Sequence, residues 1–149
     1  TQNNIQRIIK VVKNWPFIPL PLNGEALIQP IHNEDVAKAL INCIKNKAVV
    51  NQSIVIAGPS PMTYREFVEK IVLATGFSCR VVTLPYILIR ALLEISKYFP
   101  NLPDVKDAEL RRLLEDKNFD TLNMQTLLKI RSRSFTEGIT QFISLGKGK

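Results

Sequence analysis

The chain has 149 residues, of which 46% are hydrophobic and 22% charged, so it is long enough to bury a core and does not have a disordered composition. The net charge of +7 is spread along the chain, with +3 in residues 1–50, +2 in 51–100 and +2 in 101–149. Because a nucleic-acid site needs basic residues gathered on one face, this distribution argues against nucleic-acid binding and favours a solvated basic surface.

The first elements are predicted from apolar spacing and from prolines. Isoleucines and valines at helical spacing predict a helix over residues 4–14 that ends before Pro16. The closely spaced prolines of residues 16–22 forbid a helix and predict an extended segment, which the Asn23-Gly24 turn ends. A short strand is expected over residues 26–31.

The next segments alternate between helix and strand. Acidic side chains in the first turn predict a helix over residues 36–45. The apolar run 53–57 predicts a buried strand that ends at Gly58-Pro59. Thr63-Tyr64-Arg65-Glu66 matches the capping box and predicts a helix over 64–74, and residues 80–84 form the next expected strand. This alternation indicates an α/β arrangement with some parallel pairing.

The segment 86–99 is the most apolar helix of the chain. Its charged residues Arg90, Glu94 and Lys97 form one narrow stripe, so most of its surface needs cover. Three covers are considered: the rest of the domain, a partner that is absent, or a membrane surface. Further helices are expected over 104–116, around 124–130 and over 135–145.

Three other features bear on the class of protein. Cys43 and Cys79 form no CxxC motif and have no histidine nearby in sequence, so we expect neither a metal site nor a disulfide framework. No apolar run reaches the roughly 18 residues that a bilayer span needs. The chain opens on Thr1 within a helical pattern, which we interpret as the sign of a fragment or of a processed product.

Several motifs, in the right order, resemble a known family. Gln29-Pro30-Ile31-His32-Asn33-Glu34-Asp35-Val36-Ala37 is similar to the strand-to-helix junction of extended and atypical short-chain dehydrogenases, in the branch that includes the nucleotide-binding accessory subunit of respiratory complex I. Residues 56–66 resemble that family's Gly-Pro turn and Thr-Tyr-x-Glu helix start, and residues 113–116 and 134–138 its closing segments.

The resemblance implies the C-terminal, substrate-side lobe of a Rossmann-type NAD(P)-dependent epimerase/dehydratase-like protein. Residues 1–149 would form that single lobe, with short mixed strands and several helices, and the N-terminal dinucleotide-binding half would be absent. The complete protein would use NAD or NADP, and this chain alone would bind neither.

Two motifs that the family's chemistry requires do not occur in the sequence. The six glycines, which form no GxGxxG or GxxGxxG pattern, are at positions 24, 58, 76, 138, 146 and 148. The family's catalytic pair is Tyr-x-x-x-Lys, but Val68 follows Tyr64 at that spacing, Arg90 follows Tyr86 and Leu102 follows Tyr98. We therefore expect no catalytic residue in this chain.

Six residues are candidates for binding substrate: Asn4, Gln29, His32, Asp35, Tyr86 and Arg90. By resemblance, Asn4 matches an asparagine that contacts the substrate's phosphate region, or else it caps a helix. His32 binds ligand or is structural, and Asp35 stabilises the helix start or touches substrate.

Three candidates concern the shape of the cleft. Gln29 either points to solvent or lines the cleft, while Tyr86 and Arg90, one turn apart, either frame its entrance or pack on the helix surface. Relatives that bind nucleotide sugars carry an arginine where this chain has Ile28, which favours a less charged ligand or none.

Two functions follow as alternatives. The chain is the substrate-binding half of an NAD(P)-dependent protein whose partner is the absent Rossmann half, or it is a non-catalytic module that docks on a protein complex or a membrane surface through residues 86–99. A second copy of the chain, in a homo-oligomer, is the further partner considered. The expected location is the cytoplasm, or the cytoplasmic or matrix face of a membrane.

Overall fold

A computed structural model describes residues 2–96 and 115–146 of the chain. The elements in chain order are α1 (Gln2–Asn14), β1 (Phe17–Pro21), a 3-10 turn (Leu22–Gly24), β2 (Leu27–Ile28), α2 (Asn33–Lys45), a second 3-10 turn (Lys47–Val49), β3 (Met62–Thr63), α3 (Tyr64–Thr75), β4 (Arg80–Leu84), α4 (Tyr86–Ser96), α5 (Leu122–Leu127) and α6 (Phe135–Gly146). This mixture of helices and short strands confirms the predicted α/β class.

The chain forms two compact units, and each is built from two separate stretches of sequence. The first comprises Thr1–Leu27 and Thr63–Asp116, and the second comprises Ile28–Met62 and Lys117–Lys149. The sequence had suggested one lobe, and that organisation stays a prediction.

A parallel pair of strands lies in the first unit. β1 pairs with β4 in register from Phe17 opposite Arg80 to Pro21 opposite Leu84, which confirms both the extended proline-rich segment and the expected parallel pairing. Prolines are tolerated in β1 because a two-stranded sheet leaves one edge of each strand without a ladder partner. Leu20 of β1 is almost fully buried, at 2% exposure.

The helix α3 follows its sequence signals closely. Thr63 Oγ1 accepts a hydrogen bond from the Glu66 amide while the Glu66 carboxylate accepts one from the Thr63 amide, so the predicted capping box is present. The helix ends at Gly76, whose left-handed φ of 72° a glycine adopts without a Cβ clash. Its inner side buries Phe67, Val68 and Ile71.

The second unit is organised around α2 and α5. Its buried cluster, which Cys43 also contacts, consists of Ala39, Val49, Met124, Leu128 and Ile130. Asn42 Nδ2 on α2 and Nδ2 of the C-cap residue Asn46 donate at 2.8 Å to the carbonyls of Leu128 and Leu127. These bonds satisfy carbonyls at the end of α5 that would otherwise lack helical partners.

Two predicted strands differ from the structure. The described segment 53–57 is not a strand, and Val55 is 44% exposed while Ala57 is buried, so the prediction of a buried strand was wrong. Its apolar, β-branched residues suit an extended backbone, but a strand also needs a neighbouring strand, and the Ala57 carbonyl accepts from the Ser132 hydroxyl instead.

The strand expected over 26–31 is limited to Leu27–Ile28, since Pro30 has no amide hydrogen to donate. β2 and β3 form the second sheet.

The apolar helix is present as α4, Tyr86–Ser96. Ile89 is buried at 5% exposure, whereas Ile87 and Leu88 are exposed at 78% and 51%. Lys97–Phe99 and nearly all of the helix expected over 104–116 lie outside the described residues. Of the helices that the structure describes, none combines the length and the apolar character that a membrane crossing requires.

Candidate functional site

The first turn of α2 holds an almost completely buried carboxylate. Asp35 is 3% exposed. Arg133 donates to its carboxylate three times, from the backbone amide at 2.9 Å, from Nε at 3.1 Å and from an Nη at 3.0 Å. The same guanidinium reaches Glu34 at 2.9 Å and Gln141 at 2.7 Å. Asp35 therefore ties the start of α2 to the segment that precedes α6.

The charge state of Asp35 follows from these contacts. Burial by itself raises the pKa of the Asp35 carboxyl, but the hydrogen bonds and the positive charge of Arg133 outweigh burial and hold this pKa below its ordinary value. Asp35 is consequently an anion at neutral pH, so it serves as a fixed structural charge and not as a proton donor.

His32 precedes α2 as its N-cap residue. Its Nδ1 accepts a hydrogen bond from the Glu34 amide at 3.3 Å, so the neutral ring carries its hydrogen on Nε2. The ring lies against Gly138, where a Cβ would come within 3.2 Å of His32 Cδ2. Within residues 2–96 and 115–146, no hydrogen bond to His32 Nε2 is found, so this half-buried N–H can donate to a ligand.

Gln29 binds two backbone segments at once. Its Nε2 donates to the Gly58 carbonyl and its Oε1 accepts from the Phe119 amide, both at 2.8 Å. Gly58 lies so close to the Gln29–Pro30 backbone that a Cβ would be 2.1 Å from the Pro30 oxygen. The side chain of Gln29 thus joins the strand end, the Gly-Pro turn and the segment before α5.

Gln29, His32 and Asp35 all belong to the second unit, at the junction where the family motif occurs. Two of the three side chains are committed to internal hydrogen bonds, and the imidazole has one N–H left. This arrangement places the Nε2–H of His32 as a hydrogen-bond donor beside the N-terminus of α2.

The other three candidates belong to the first unit. Asn4 is exposed, and because α1 begins at Gln2 it lies within the first turn and does not cap the helix. Tyr86 opens α4 and is half-buried, while Arg90, one turn later, is exposed. The structure thus divides the six candidates between the two units, three in each.

A polar cluster in the first unit was not predicted. Arg65 Nε donates to the Asn23 carbonyl and an Nη to Thr83 Oγ1, each at 2.8 Å, and the guanidinium also contacts the Asn23 side chain. Asn23 has a φ of 60°, and the adjacent Gly24 would bring a Cβ within 3.1 Å of the Arg65 amide. Arg65 therefore holds the Asn23-Gly24 turn against the start of α3.

Tyr64 cannot replace the family's catalytic tyrosine. Burial raises the pKa of its phenol to about 12, whereas that chemistry needs a lowered pKa and a lysine one turn later. The residue one turn after Tyr64 is Val68, which is buried.

Sequence analysis placed the start of α6 correctly at residue 135 but did not single out Arg133 or the cap of this helix. Ser134 Oγ accepts from the Glu137 amide at 3.3 Å and Glu137 Oε2 accepts from the Ser134 amide at 2.8 Å, which is a second capping box. The Ser-x-x-Glu spacing was a usable signal for this helix start. No local signal links Arg133 to Asp35, which is 98 residues away in the chain.

The described residues contain no group of three or more His, Cys, Asp or Glu placed to hold a metal ion. For a coenzyme, they offer the Nε2–H of His32 and the exposed side chains of Asn4 and Arg90, and none of these belongs to a glycine-rich phosphate loop.

Comparisons with known proteins agree with the motifs. The chain superposes over 93% of its length on a nucleoside-diphosphate-sugar epimerase from Staphylococcus aureus, with a TM-score of 0.63 and 17% identity, and covers 48% of that chain. It superposes over 95% of its length on dTDP-4-dehydrorhamnose reductase from Bacillus anthracis in complex with NADP, with a TM-score of 0.59 and 13% identity, and covers 42% of that chain.

One curated protein is similar in sequence. Over 72 residues, 48% of this chain, it is 32% identical to mitochondrial NADH dehydrogenase [ubiquinone] 1 alpha subcomplex subunit 9 from Dictyostelium discoideum, and the match covers 20% of that protein. No family model matches the chain.

The chain therefore spans less than half the length of the proteins it resembles. The solved structures establish the fold, which is the mixed α/β arrangement of the matched parts of the epimerase and the reductase, and together with the curated match they agree with the resemblance expected from the motifs.

Proposed function

We propose that this chain is the substrate-binding half of an NAD(P)-dependent oxidoreductase or epimerase-like protein and that it does not catalyse a reaction by itself. One observation carries the proposal: nearly the whole chain superposes on an epimerase and a reductase of nucleotide sugars, but it accounts for less than half of each. An N-terminal dinucleotide-binding half would supply the coenzyme site and the acid/base pair.

The coenzyme assignment rests on the same comparison. The Bacillus anthracis reductase was solved with NADP, which supports NAD or NADP as the coenzyme of the complete protein. The sequence of this chain has neither a glycine-rich turn nor Tyr-x-x-x-Lys, so the coenzyme and the reacting groups belong to the other half.

Within this half, His32 is the proposed contact to substrate. Its Nε2–H is held in one orientation because Nδ1 caps α2 and because the ring packs on Gly138. Gln29 and Asp35 act as positioning residues: they fix the backbone on both sides of His32 through Gly58, Phe119 and Arg133.

Asn4, Tyr86 and Arg90 are proposed as substrate contacts of the first unit, since they lie at exposed or half-buried helix positions. Ile28 stands where nucleotide-sugar relatives carry an arginine, so the proposed substrate carries less negative charge than a nucleotide sugar.

Calorimetric titration tests whether coenzyme binding requires the other half of the protein. The purified 149-residue chain should give no binding heat with NADH or NADPH, because the amides that hold a pyrophosphate are in the other half. A clear one-site isotherm, or turnover by the chain with no added subunit, would overturn the proposal.

A second function, docking on a protein complex, is favoured by the likeness to subunit 9 of the Dictyostelium discoideum NADH dehydrogenase. In this version the module docks through α4, whose Ile87 and Leu88 are exposed, and works in the cytoplasm or on the cytoplasmic or matrix face of a membrane. Co-migration of the tagged chain with active NADH dehydrogenase on native gels, abolished by Ile87→Glu with Leu88→Glu, would support it. Migration apart from that complex would contradict it.

Liposome binding tests whether the second function is docking on a membrane surface and not on a protein complex. Co-sedimentation with anionic vesicles that the same double substitution abolishes would indicate a membrane surface. The absence of binding, or binding unchanged by the substitution, counts against it.

A further inference from the structure

The helix α2 has two different faces, and both are specialised. Its inner face carries buried Asp35 and Ala39, together with Asn42, which contacts Leu128, and Cys43, which contacts the buried cluster. The C-cap residue Asn46 adds a contact to Leu127. These contacts account for the packing of α2 on the second unit.

The outer face is a stripe of apolar residues, the α2 stripe, formed by Ala37, Leu40, Ile41 and Ile44. They follow the i, i+3, i+4, i+7 spacing of a helix face that packs against protein. All four are exposed, with Leu40 at 54%, Ile41 at 49% and Ile44 at 87%. A helix face that meets only water is ordinarily polar, so this one is built for cover that the described residues, 2–96 and 115–146, do not provide.

The size of the α2 stripe helps to identify the cover. Three large side chains, 49% to 87% exposed, present an apolar patch comparable to the largest patch of an ordinary monomer, about 300–600 Å². Stable contacts between separate chains bury roughly 1,200–2,000 Å² in total, whereas two such patches provide about 600–1,200 Å², at most the lower end of that range. A covalently linked partner needs less area, because the linkage raises its effective concentration.

The solved proteins of the same fold point to the same kind of partner. In the Staphylococcus aureus epimerase and the Bacillus anthracis reductase, this chain accounts for 48% and 42% of the polypeptide, so in both the larger part of the chain lies beyond the matched region. An adjoining half of this size is available to cover a helix face within one polypeptide.

We infer that the α2 stripe is the surface on which the dinucleotide-binding half of the same polypeptide docks. The inference rests on the proposed function, which requires such a half, and adds the place where the two halves meet. The docked surface is apolar, with Ile44 at its most exposed point.

Thiol labelling tests this in the complete protein. In a background of Cys43→Ala and Cys79→Ser, Ile44→Cys is labelled with a maleimide in two proteins: the 149-residue chain and the polypeptide expressed from the complete reading frame that contains it. Leu73→Cys is the matched control, because Leu73 is an equally exposed leucine, at 82%, on α3 of the first unit.

We expect the Ile44→Cys thiol to react quickly in the 149-residue chain. In the complete polypeptide it should react more slowly by about tenfold or more, the factor that corresponds to roughly 1.4 kcal/mol of docking free energy. The Leu73→Cys thiol should react at similar rates in both proteins.

The outcomes separate this inference from the proposed function. Equal labelling of Ile44→Cys in both proteins, with a dinucleotide-binding half present and binding NADH or NADPH, overturns the docking site and leaves the proposed function standing. A complete reading frame without such a half overturns both. Protection in the 149-residue chain that grows with protein concentration assigns the stripe to a second copy, and protection only with anionic vesicles assigns it to a membrane; each result overturns the inference.

Discussion

Arg133 is the residue on which the start of α2 depends. It donates to Asp35 from its backbone and from its guanidinium, and it also reaches Glu34 and Gln141. A buried carboxylate is costly without such partners, because it has lost its hydration. The ion pair therefore stabilises the contact between the start of α2 and the segment before α6 only while both Asp35 and Arg133 are present.

Replacing Arg133 should expose this dependence. Arg133→Met should lower the free energy of unfolding, because the buried Asp35 carboxylate would lose its guanidinium partner and keep only the backbone amide of residue 133 and Lys38, 3.8 Å away. Urea denaturation followed by circular dichroism measures the change. Arg131→Met is the control, since Arg131 is exposed, and it should shift the free energy by less than about 0.5 kcal/mol. Equal effects of the two substitutions would contradict the role of Arg133.

The lowered pKa of Asp35 predicts a dependence of stability on pH. Its folded-state pKa lies below its unfolded value of about 3.9, so its contribution is present above that value and is lost as the pH falls through the folded-state pKa. The Asp35→Asn variant should be less stable than the parent at pH 7, and the difference should shrink below about pH 4. Urea midpoints of both proteins across this range give the test, and a difference independent of pH would refute it.

Two glycines should respond to alanine for different reasons. A Cβ at Gly58 would meet the Pro30 carbonyl at 2.1 Å, a backbone clash, so Gly58→Ala should cost about 3 kcal/mol. A Cβ at Gly76 meets no atom within 4 Å, but its φ of +72° is unfavourable for alanine, so Gly76→Ala should cost only about 1 kcal/mol. Unfolding free energies decide the order, and a larger loss at Gly76 would contradict it.

At the scale of elements, two helices begin with the same chemistry. Thr63 and Glu66 start α3, and Ser134 and Glu137 start α6. Within each pair, the side chain of one residue accepts a hydrogen bond from the backbone amide of the other. The hydrogen bonds that the Ser134 amide and the Ser134 hydroxyl donate to the Glu137 carboxylate also lower the pKa of that carboxyl. In both helices, local residues set the first turn before any tertiary contact is considered.

The cap of α6 provides a prediction at this scale. Ser134→Ala should destabilise the protein by about 1 kcal/mol, because it removes the acceptor for the Glu137 amide. Ser144→Ala, near the other end of the same helix, removes only a bond to the Gln141 carbonyl and should be close to neutral. Thermal denaturation of the two variants compares them, and equal losses would argue against the cap.

At the scale of the whole molecule, the chain is divided into two compact units of discontinuous sequence. Each has its own buried residues, such as Val68 and Ile71 in the first unit and Met124 and Leu128 in the second. Local stability can therefore differ between them, because opening free energies follow the contacts of each cooperative unit.

Native-state hydrogen exchange should report this difference. Arg133→Met should speed amide exchange in α2 and α6 of the second unit, where its contacts lie, and change exchange in α3 of the first unit much less. Thr63→Ala, which removes the cap of α3, should give the opposite pattern. Uniform acceleration of all amides in both variants would show instead that the chain opens as one unit.

Predictions from sequence succeeded where a few neighbouring residues carry the signal. Pro16 and the following prolines, the Thr63 cap and Gly76 placed the boundaries of elements within a few residues. The apolar run 53–57 failed because its composition fits an extended backbone, whereas a strand also depends on a neighbour that sequence does not identify. The roles of the six candidate site residues stay predictions.

The sequence by itself determined the starts and stops of most helices, the extended course of β1 and the family resemblance, since caps, prolines and glycines act over a few residues. Only the tertiary structure decided that β1 pairs with β4, that Gln29 bridges Gly58 and Phe119, and that Asp35 is neutralised by Arg133. The partners in these contacts are separated by tens of residues, up to 98, so the path of the chain, and not any local preference, brings them together.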